Sequence, residues 1–289
     1  MSTRLGKLSV GSTVLLDVDG GKRDFIIINQ GLPSSDYDDS CDGTWLLMKD
    51  IYEQRAWNDI ISTSNLYSKS TIHNYLNSKF LELLDPDIQN VIKLVKIPYT
   101  KVSDTTDSSA SGSMTGSTTS GSMNGTIASG SNGLMTKIFL LSLAETGISY
   151  QNVIVEGSIL EYFTPSDYDA RIGYYEGKAQ GWWLRSIYTR NNNPAAYINN
   201  SGDVSWSVVT SDLYGGVRPA MILPSMLIVD DNGFVTPISA PIGVQGNVII
   251  NGVQKDLTGE SYVNINGVWK PIVKSYTCID SVWKSSNGK

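Results

Sequence analysis

Few residues of this chain carry the chemistry of catalysis. It holds one histidine, His73, and two cysteines, Cys41 and Cys278. A nucleophile needs a base beside it, and a zinc site needs several Cys or His at short spacing. The cysteines lie far apart, and no CxxC or Cys/His cluster occurs. Two unpaired thiols and an ordinary histidine are expected, with no catalytic residue, no cofactor and no enzymatic activity. An acidic run, DYDDSCDG, brings together Asp36, Asp38, Asp39 and Asp42. It departs from the alternating Asp/Asn pattern of a calcium loop with a distal Glu, so a solvated turn and no metal are expected.

The chemistry that stands out is that of recognition, in the segment from Gly181 to Pro224. It opens on Trp182, Trp183 and Arg185 and closes on Gly216, Val217, Arg218 and Pro219, with Asn, Ser and Tyr between. Adjacent strand residues face opposite sides, so Trp182 and Trp183 suit two layers of packing. Arg185 and Arg218 suit buried structural guanidinium groups paired with carboxylates or carbonyls, and Glu145, Asp203 and Asp212 are candidate partners. Tyr188, Arg190, Asn191, Asn193, Tyr197, Asn199, Trp206 and Tyr214 are the ligand-binding candidates, because Tyr, Asn and Trp give contact area and hydrogen bonds at low entropic cost. Trp206, between Ser205 and Ser207, is expected to project alone from a polar surface. Trp57-Asn58-Asp59 matches a calcium-lectin tripeptide away from this segment, and calcium-dependent sugar binding is not expected.

Composition narrows the partners. The 289 residues carry a formal net charge of -6, 40% hydrophobic and 17% charged residues. Nucleic-acid binding needs clustered Lys and Arg, which are absent, so no nucleic acid is expected. No apolar run approaches about 20 residues, so no membrane insertion is expected. The first residues lack an apolar export core, so a standard signal peptide is not expected either.

These residues need elements to position them. Leu8 to Leu16 and Asp24 to Asn29 alternate as strands around an Asp-Gly-Gly turn, and Trp45 to Tyr52 reads as another strand. Ser68 to Leu84 has helical spacing, with Ile72, Tyr75, Leu76, Phe80, Leu83 and Leu84 on one face and Ser70 or Ser68 as cap. A short second helix is expected from Asp85-Pro86. Residues 103–133 are a Gly/Ser/Thr tract with SGSM twice, expected as a flexible surface insertion. Composition shifts near Pro237 to Pro241. Residues 1–237 are expected to form one domain and 238–289 a small β-hairpin module, with Asn-Gly turns at Asn251 and Asn266 and a repeated Val-Trp-Lys. That module is expected to tether or oligomerise the chain.

The order of YSKSTIHNYLNSKF, KIFLLSLAE, GWWLRS, SGDV and GVRPA resembles a domain family of unassigned function from gut bacteria and their phages, over Gly6 to Val229. That family is related to C-type-lectin-like and formylglycine-generating-enzyme-like folds. The resemblance implies an α+β, C-type-lectin-like domain whose last strands and loop form the ligand surface. It also implies that this loop is open to adenine-directed diversification, which favours Asn and Tyr. The reactive cysteines of a formylglycine-generating enzyme are missing from the corresponding loop. The C-terminal YVNINGVWK hairpins resemble terminal pieces of phage tail and virion proteins. Together the two resemblances imply a bacteriophage virion protein, in the tail, baseplate or a fibre, that displays a receptor-binding surface. Its partners would be other virion proteins and a host cell-surface glycan or protein, and it would be a homo-oligomer assembled in the host cytoplasm. A capsid decoration or head-fibre protein and a bacterial surface adhesin are the alternatives.

Overall fold

A computed structural model describes residues 2–59, 66–102, 125–151, 153–164, 166–188, 194–211 and 215–236, together with six C-terminal strands. The chain divides into two compact units, Met1–Pro237 and Ile238–Lys289. The first is built on two five-stranded sheets. One contains β1 (Thr13–Val18), β2 (Gly21–Gln30) and β3 (Thr44–Met48). The other begins with β4 (Glu53–Gln54). The first sheet is extended by β5 (Ile138–Phe139), and the second by β6 (Trp182–Ile187), β7 (Pro194–Ile198), β8 (Val204–Val208) and β9 (Gly216–Val217). β10 (Ala220–Leu223) returns to the first sheet. Strand order is β5-β10-β3-β2-β1 in one and β8-β7-β6-β9-β4 in the other.

Local chemistry explains the joints. β1 and β2 pair with Val18 opposite Gly21, leaving Asp19-Gly20 as a two-residue turn. Both turn residues have positive φ, 56° and 68°, as a tight hairpin matching strand twist requires. The helical stripe forms one continuous run, 71–83, made of Thr71–Tyr75, a wider turn at Leu76–Phe80 and Leu81–Leu83. Ser70 caps it by accepting from the His73 backbone N–H at 3.1 Å. Pro86–Val91 forms a second short helix, and Asp85 caps it through the Asp87 N–H at 2.8 Å.

The α+β, C-type-lectin-like expectation is overturned. The chain is 38% strand and 17% helix, and only one helix reaches 13 residues, so the fold is β-rich. The helical periodicity at 68–84 is real, but it is a single element packed on sheets. Elsewhere, short alternating or fully apolar runs form strands. The tract at 103–133 also differs from a uniform linker in its last residues: Gly125–Ala128 pairs with Tyr99–Val102. A Cβ on Gly125 would lie 2.9 Å from Thr100 Cγ2, and one on Gly133 2.8 Å from the Ile97 carbonyl oxygen. Glycine there permits close strand approach. Residues 103–124 lie outside the described residues.

Apolar side chains fill two clusters. Phe25, Ile27, Leu46 and Met48 meet the helix residues Ile72, Leu76 and Phe80 and, from the second sheet, Trp183 and Ile187. Ile26, Ile28, Trp45 and Leu47 meet Phe139, Trp182, Leu184 and Ile198. Alternate residues of β2 and β3 thus enter different clusters. A strand buried on both faces reads as a continuous apolar run, as FIII and WLLM do. Trp182 and Trp183 likewise enter opposite clusters, and both are fully buried.

His73 lies at the helix start with its ring 4.9 Å from that of Tyr67, edge to face. Burial pulls its pKa down to about 4 from an ordinary 6.5. The stabilising contribution of the neutral ring is complete above pH 6.5. It is lost as pH falls toward 4, because the unfolded chain takes up the proton first. Urea unfolding at pH 7.5 and pH 5 is expected to show a larger loss of stability in the wild type than in His73→Leu. Equal losses would assign the acid sensitivity to other groups.

Candidate functional site

The chain between β5 and β6 organises the site. It begins in the core, because Leu140 and Leu141 are fully buried. Glu145 follows on a tight turn, its backbone N–H held by Ser142 Oγ at 3.1 Å. Arg185 of β6 meets it in a fork: Nη1 donates to Glu145 Oε2 and Nη2 to Oε1, each at 2.6 Å. Both side chains are fully buried. Glu145 also accepts from the Tyr37 hydroxyl at 2.8 Å and from the Ser142 N–H at 2.9 Å. The remaining Arg185 donors reach the carbonyls of Pro98, Leu140 and Glu156. Asp203, another candidate partner, instead accepts from the Val204 N–H beside the β7–β8 turn, and Asp212 lies outside the described residues.

Glu156 closes the same network. Its Oε1 accepts from the Thr100 N–H at 2.7 Å and its Oε2 from Ser186 Oγ at 3.0 Å. Burial pushes its carboxyl up, and the Arg185 charge and these hydrogen bonds hold it part-way down. For Arg185, burial pulls the guanidinium down, but the charge and hydrogen bonds of Glu145 overcome it and leave it above its ordinary value. All polar atoms of the fork are satisfied, so this is a frame closed to substrates. Arg218 is framed differently. Its Nε donates to the Met48 carbonyl at 2.9 Å and its guanidinium lies 4.9 Å from the Trp182 ring centre. Its Nη1 has no partner, and burial lowers its pKa to about 10.

The chain from Glu145 to Glu156, fastened at both ends to Arg185, lines an open pocket of about 270 Å³. Its walls include Ile148, Tyr150, Val153, Ile154, Val155 and Ile159. Gly157 shapes the far side. Its φ is +90°, and a Cβ there would lie 2.1 Å from the Tyr37 hydroxyl oxygen, so only glycine fits. That hydroxyl also accepts from the Ser158 N–H at 3.2 Å. Ser158 lines the cavity, and its own Oγ is buried without a partner.

Beside the cavity stands an aromatic cluster. The Trp206 ring lies 5.4 Å from Tyr150 and 5.3 Å from Tyr188, both tilted. Trp206 therefore does not project alone: it is half-buried between two tyrosines, against the second core cluster. Among the described tryptophans it differs in one respect. Trp45, Trp57, Trp182 and Trp183 each donate Nε1–H to a backbone carbonyl. Trp206 Nε1 is buried with no partner. A buried indole normally finds one.

The structure separates the remaining candidates. Tyr197 packs edge to face on Trp183 at 5.9 Å, on the side of the first cluster. Its neighbour Ala196 stands opposite Trp206 and belongs to the second cluster. Strand alternation therefore puts Tyr197 and Trp206 on opposite faces, and they cannot share a ligand. Asn199 spends its Oδ1 on its own turn, accepting from the Ser201 N–H, the Ser201 hydroxyl and the Asp203 N–H. Arg190, Asn191, Asn193 and Tyr214 lie outside the described residues. Tyr150 and Ser158 escaped the reading of the sequence because they sit in a stretch without periodicity, far from Trp206 in sequence.

Metal chemistry finds no support among the described residues, where no group of three His, Cys, Asp or Glu could hold an ion. In the acidic run, Asp38 caps a short turn by accepting from the Ser40 N–H at 3.0 Å. Cys41 is buried and donates to the Lys96 carbonyl, and burial pushes its thiol up to about 12. No helix among the described residues is long and apolar enough to cross a membrane.

Residues 42–225 match the family described as a domain of unknown function, DUF6273. The chain belongs to that family. The matched span of the DUF6273 domain contains the whole ionic frame except Tyr37, and all of the cavity and aromatic cluster. No curated protein matches the chain, and no solved structure does.

Replacing one partner of a buried ion pair strands the other. Glu145→Gln is expected to lower the unfolding free energy by about 3–5 kcal/mol, by the usual cost of breaking such a pair. Chemical denaturation measures it. A loss below about 1 kcal/mol, the size of an exposed pair, would refute the frame role.

Proposed function

We propose that this chain is a recognition protein whose DUF6273 domain presents the Tyr150–Trp206–Tyr188 cluster and the adjoining cavity to a partner, as a receptor-binding component of a bacteriophage virion. One observation carries the binding face: Trp206 is half-buried between two tyrosines with its indole N–H unsatisfied, whereas Trp45, Trp57, Trp182 and Trp183 each donate theirs to a backbone carbonyl. Aromatic side chains grouped beside a preformed pocket are the usual anchors of an interface. Tyr150 is 46% exposed, Val155 65% and Ile159 44%, so the cluster continues into an apolar rim.

The virion assignment rests on the C-terminal resemblance, and the backbone there is compatible with it. Three antiparallel pairs place Ile250 opposite Val253, Ile265 opposite Val268 and Ile279 opposite Val282, with two residues between the partners in each. The sequence repeats there: Ile, two residues, Val, then Gln or Trp, then Lys. Each hairpin is a two-stranded sheet by itself, an arrangement of marginal stability in water. Association with other copies or with other virion proteins would supply the missing support, which suits a tether.

The test is binding of the labelled full chain to intact cells of the bacterium in which its gene occurs. Tyr150→Ala with Trp206→Ala is expected to weaken binding by about 30-fold or more, the effect of losing an interface anchor worth about 2 kcal/mol. Circular dichroism of the double variant establishes that it remains folded. Unchanged binding by a folded double variant would move the recognition face elsewhere. Antibody labelling of particles tests the virion assignment separately.

A further inference from the structure

A sheet edge presents backbone groups that lack a partner, and in the two five-stranded sheets the described residues leave one long edge open. In the first sheet, the edge strand β1 is covered. Its Leu15 N–H donates to the Gly233 carbonyl at 2.8 Å, and its Asp17 carbonyl accepts from the Asp85 N–H at 3.2 Å. The outer strands β4 and β5 have only two residues each. That leaves β8, the five residues Val204–Val208 at the end of the second sheet. Natural edges are usually guarded by a charge, a proline or a bulge. β8 reads Val-Ser-Trp-Ser-Val and pairs with β7 without a break in register.

The register fixes which groups face outward. The β7–β8 turn closes with the Asn199 N–H on the Asp203 carbonyl at 2.8 Å and the Gly202 N–H on the Asn199 carbonyl at 3.1 Å. Asn199 and Asp203 therefore form a hydrogen-bonded pair, and such pairs recur at every second position. Ser205 and Ser207 turn their backbone groups inward, to Tyr197 and Ala195. Val204, Trp206 and Val208 turn theirs away from the sheet. Two of these outward groups are satisfied locally. The Val204 N–H donates to Asp203 Oδ1 at 2.8 Å, and the Val208 carbonyl accepts from the Ser211 N–H at 3.0 Å. Among the described residues, nothing pairs with the Val204 carbonyl, the Trp206 N–H and carbonyl, or the Val208 N–H.

We infer that β8 pairs antiparallel with β8 of a second copy across a two-fold axis at Trp206, joining the two second sheets edge to edge. A two-fold interface must be self-complementary, and this strand is. Val-Ser-Trp-Ser-Val reads the same in both directions. Trp206 meets the second copy's Trp206, Val204 meets its Val208 and Ser205 its Ser207. The backbone parity agrees. Each Trp206 exchanges N–H and carbonyl with its counterpart, and each Val208 N–H reaches the opposing Val204 carbonyl. The locally satisfied groups, the Val204 N–H and the Val208 carbonyl, fall opposite each other and need no partner. An unrelated strand would require neither the palindrome nor this match, which is what selects a second copy. Directly opposed residues share a face, so the pairing sets two Tyr150–Trp206–Tyr188 clusters on the same side. Backbone groups make the joint, so it stands whether or not those rings bind a receptor.

A contact over so few residues is small, so the dimer is expected to be weak and populated at roughly 0.1 mM and above. The full chain is tested with Cys278→Ser in place, since Cys41 is buried. Ser205 and the second copy's Ser207 form a non-hydrogen-bonded pair with Cα atoms about 4.5 Å apart, within reach of a disulfide. The two Ser205 positions lie diagonally, at about 7–8 Å, beyond that reach. Under mild oxidation, a mixture of Ser205→Cys and Ser207→Cys chains is expected to form disulfide dimers much faster than either variant alone. Val208→Pro removes an outward N–H and leaves the pairing with β7 intact. It should keep the chain folded by circular dichroism and weaken dimerisation in sedimentation equilibrium by about tenfold or more, the effect of losing a hydrogen bond from each copy. Ser205→Lys with Ser207→Lys sets like charges opposite each other and should also disperse the dimer. A chain that stays monomeric up to about 1 mM would overturn the pairing, because even small interfaces are populated there. Crosslinking of each variant with itself as fast as in the mixture would overturn it too. A dimer indifferent to both Val208→Pro and the lysine pair would place the association on another surface, and the inference would fall.

Discussion

Everything built between β5 and β6 depends on the pairing of Arg185 with Glu145. Removing two charges from water is expensive, and a hydrophobic pair of similar volume would often be as stable. What the ionic version adds is direction. The guanidinium is planar and its donors are fixed in space, so each accepting group must arrive at a set place. Arg185 collects a carboxylate from Glu145 and carbonyls from Pro98, Leu140 and Glu156. Three stretches distant in sequence are thereby registered against β6. The segment from Glu145 to Glu156 has little regular structure, and Ile148 and Val153 pack its middle on the second cluster. Both of its ends are tied to one side chain, Arg185.

The features legible in the sequence were those written in local chemistry. The helix at 71–83 follows from its apolar spacing and its Ser70 cap, and the β1–β2 turn from Asp19-Gly20. Glu145 stood among the possible partners of Arg185 because a buried guanidinium demands an acceptor. The overall class was misjudged. One clear helix and a resemblance suggested α+β, whereas strands dominate; the runs DFIIIN and WLLM read as strands, but pairings such as Glu53–Gln54 with Gly216–Val217 and Tyr99–Val102 with Gly125–Ala128 carry no period in the sequence.

The binding face was only partly legible, for a geometric reason. Trp206 and Tyr188 were visible as exposed-type aromatics in a polar stretch. Tyr197 and Asn199 had the same composition, yet one packs on Trp183 and the other holds its own turn together. Composition cannot distinguish these, because a strand sends neighbours to opposite faces and a turn consumes its own amides. Tyr150 and Ser158 reach the face only through the long loop that the ionic frame positions. Their contribution exists in the folded chain alone.

The sheet buried on both sides also bears on how such a protein can change over time. A substitution in β2 or β3 is felt by two clusters at once, so those strands tolerate little drift. The wall of the cavity is different: Val155 and Ile159 are exposed, and the frame satisfies its own charges without their help. Inheritance is therefore divided between a conservative interior and a permissive rim. A lineage could retarget the rim by exchanging a few side chains there while the scaffold, and its capacity to fold, stayed as it was.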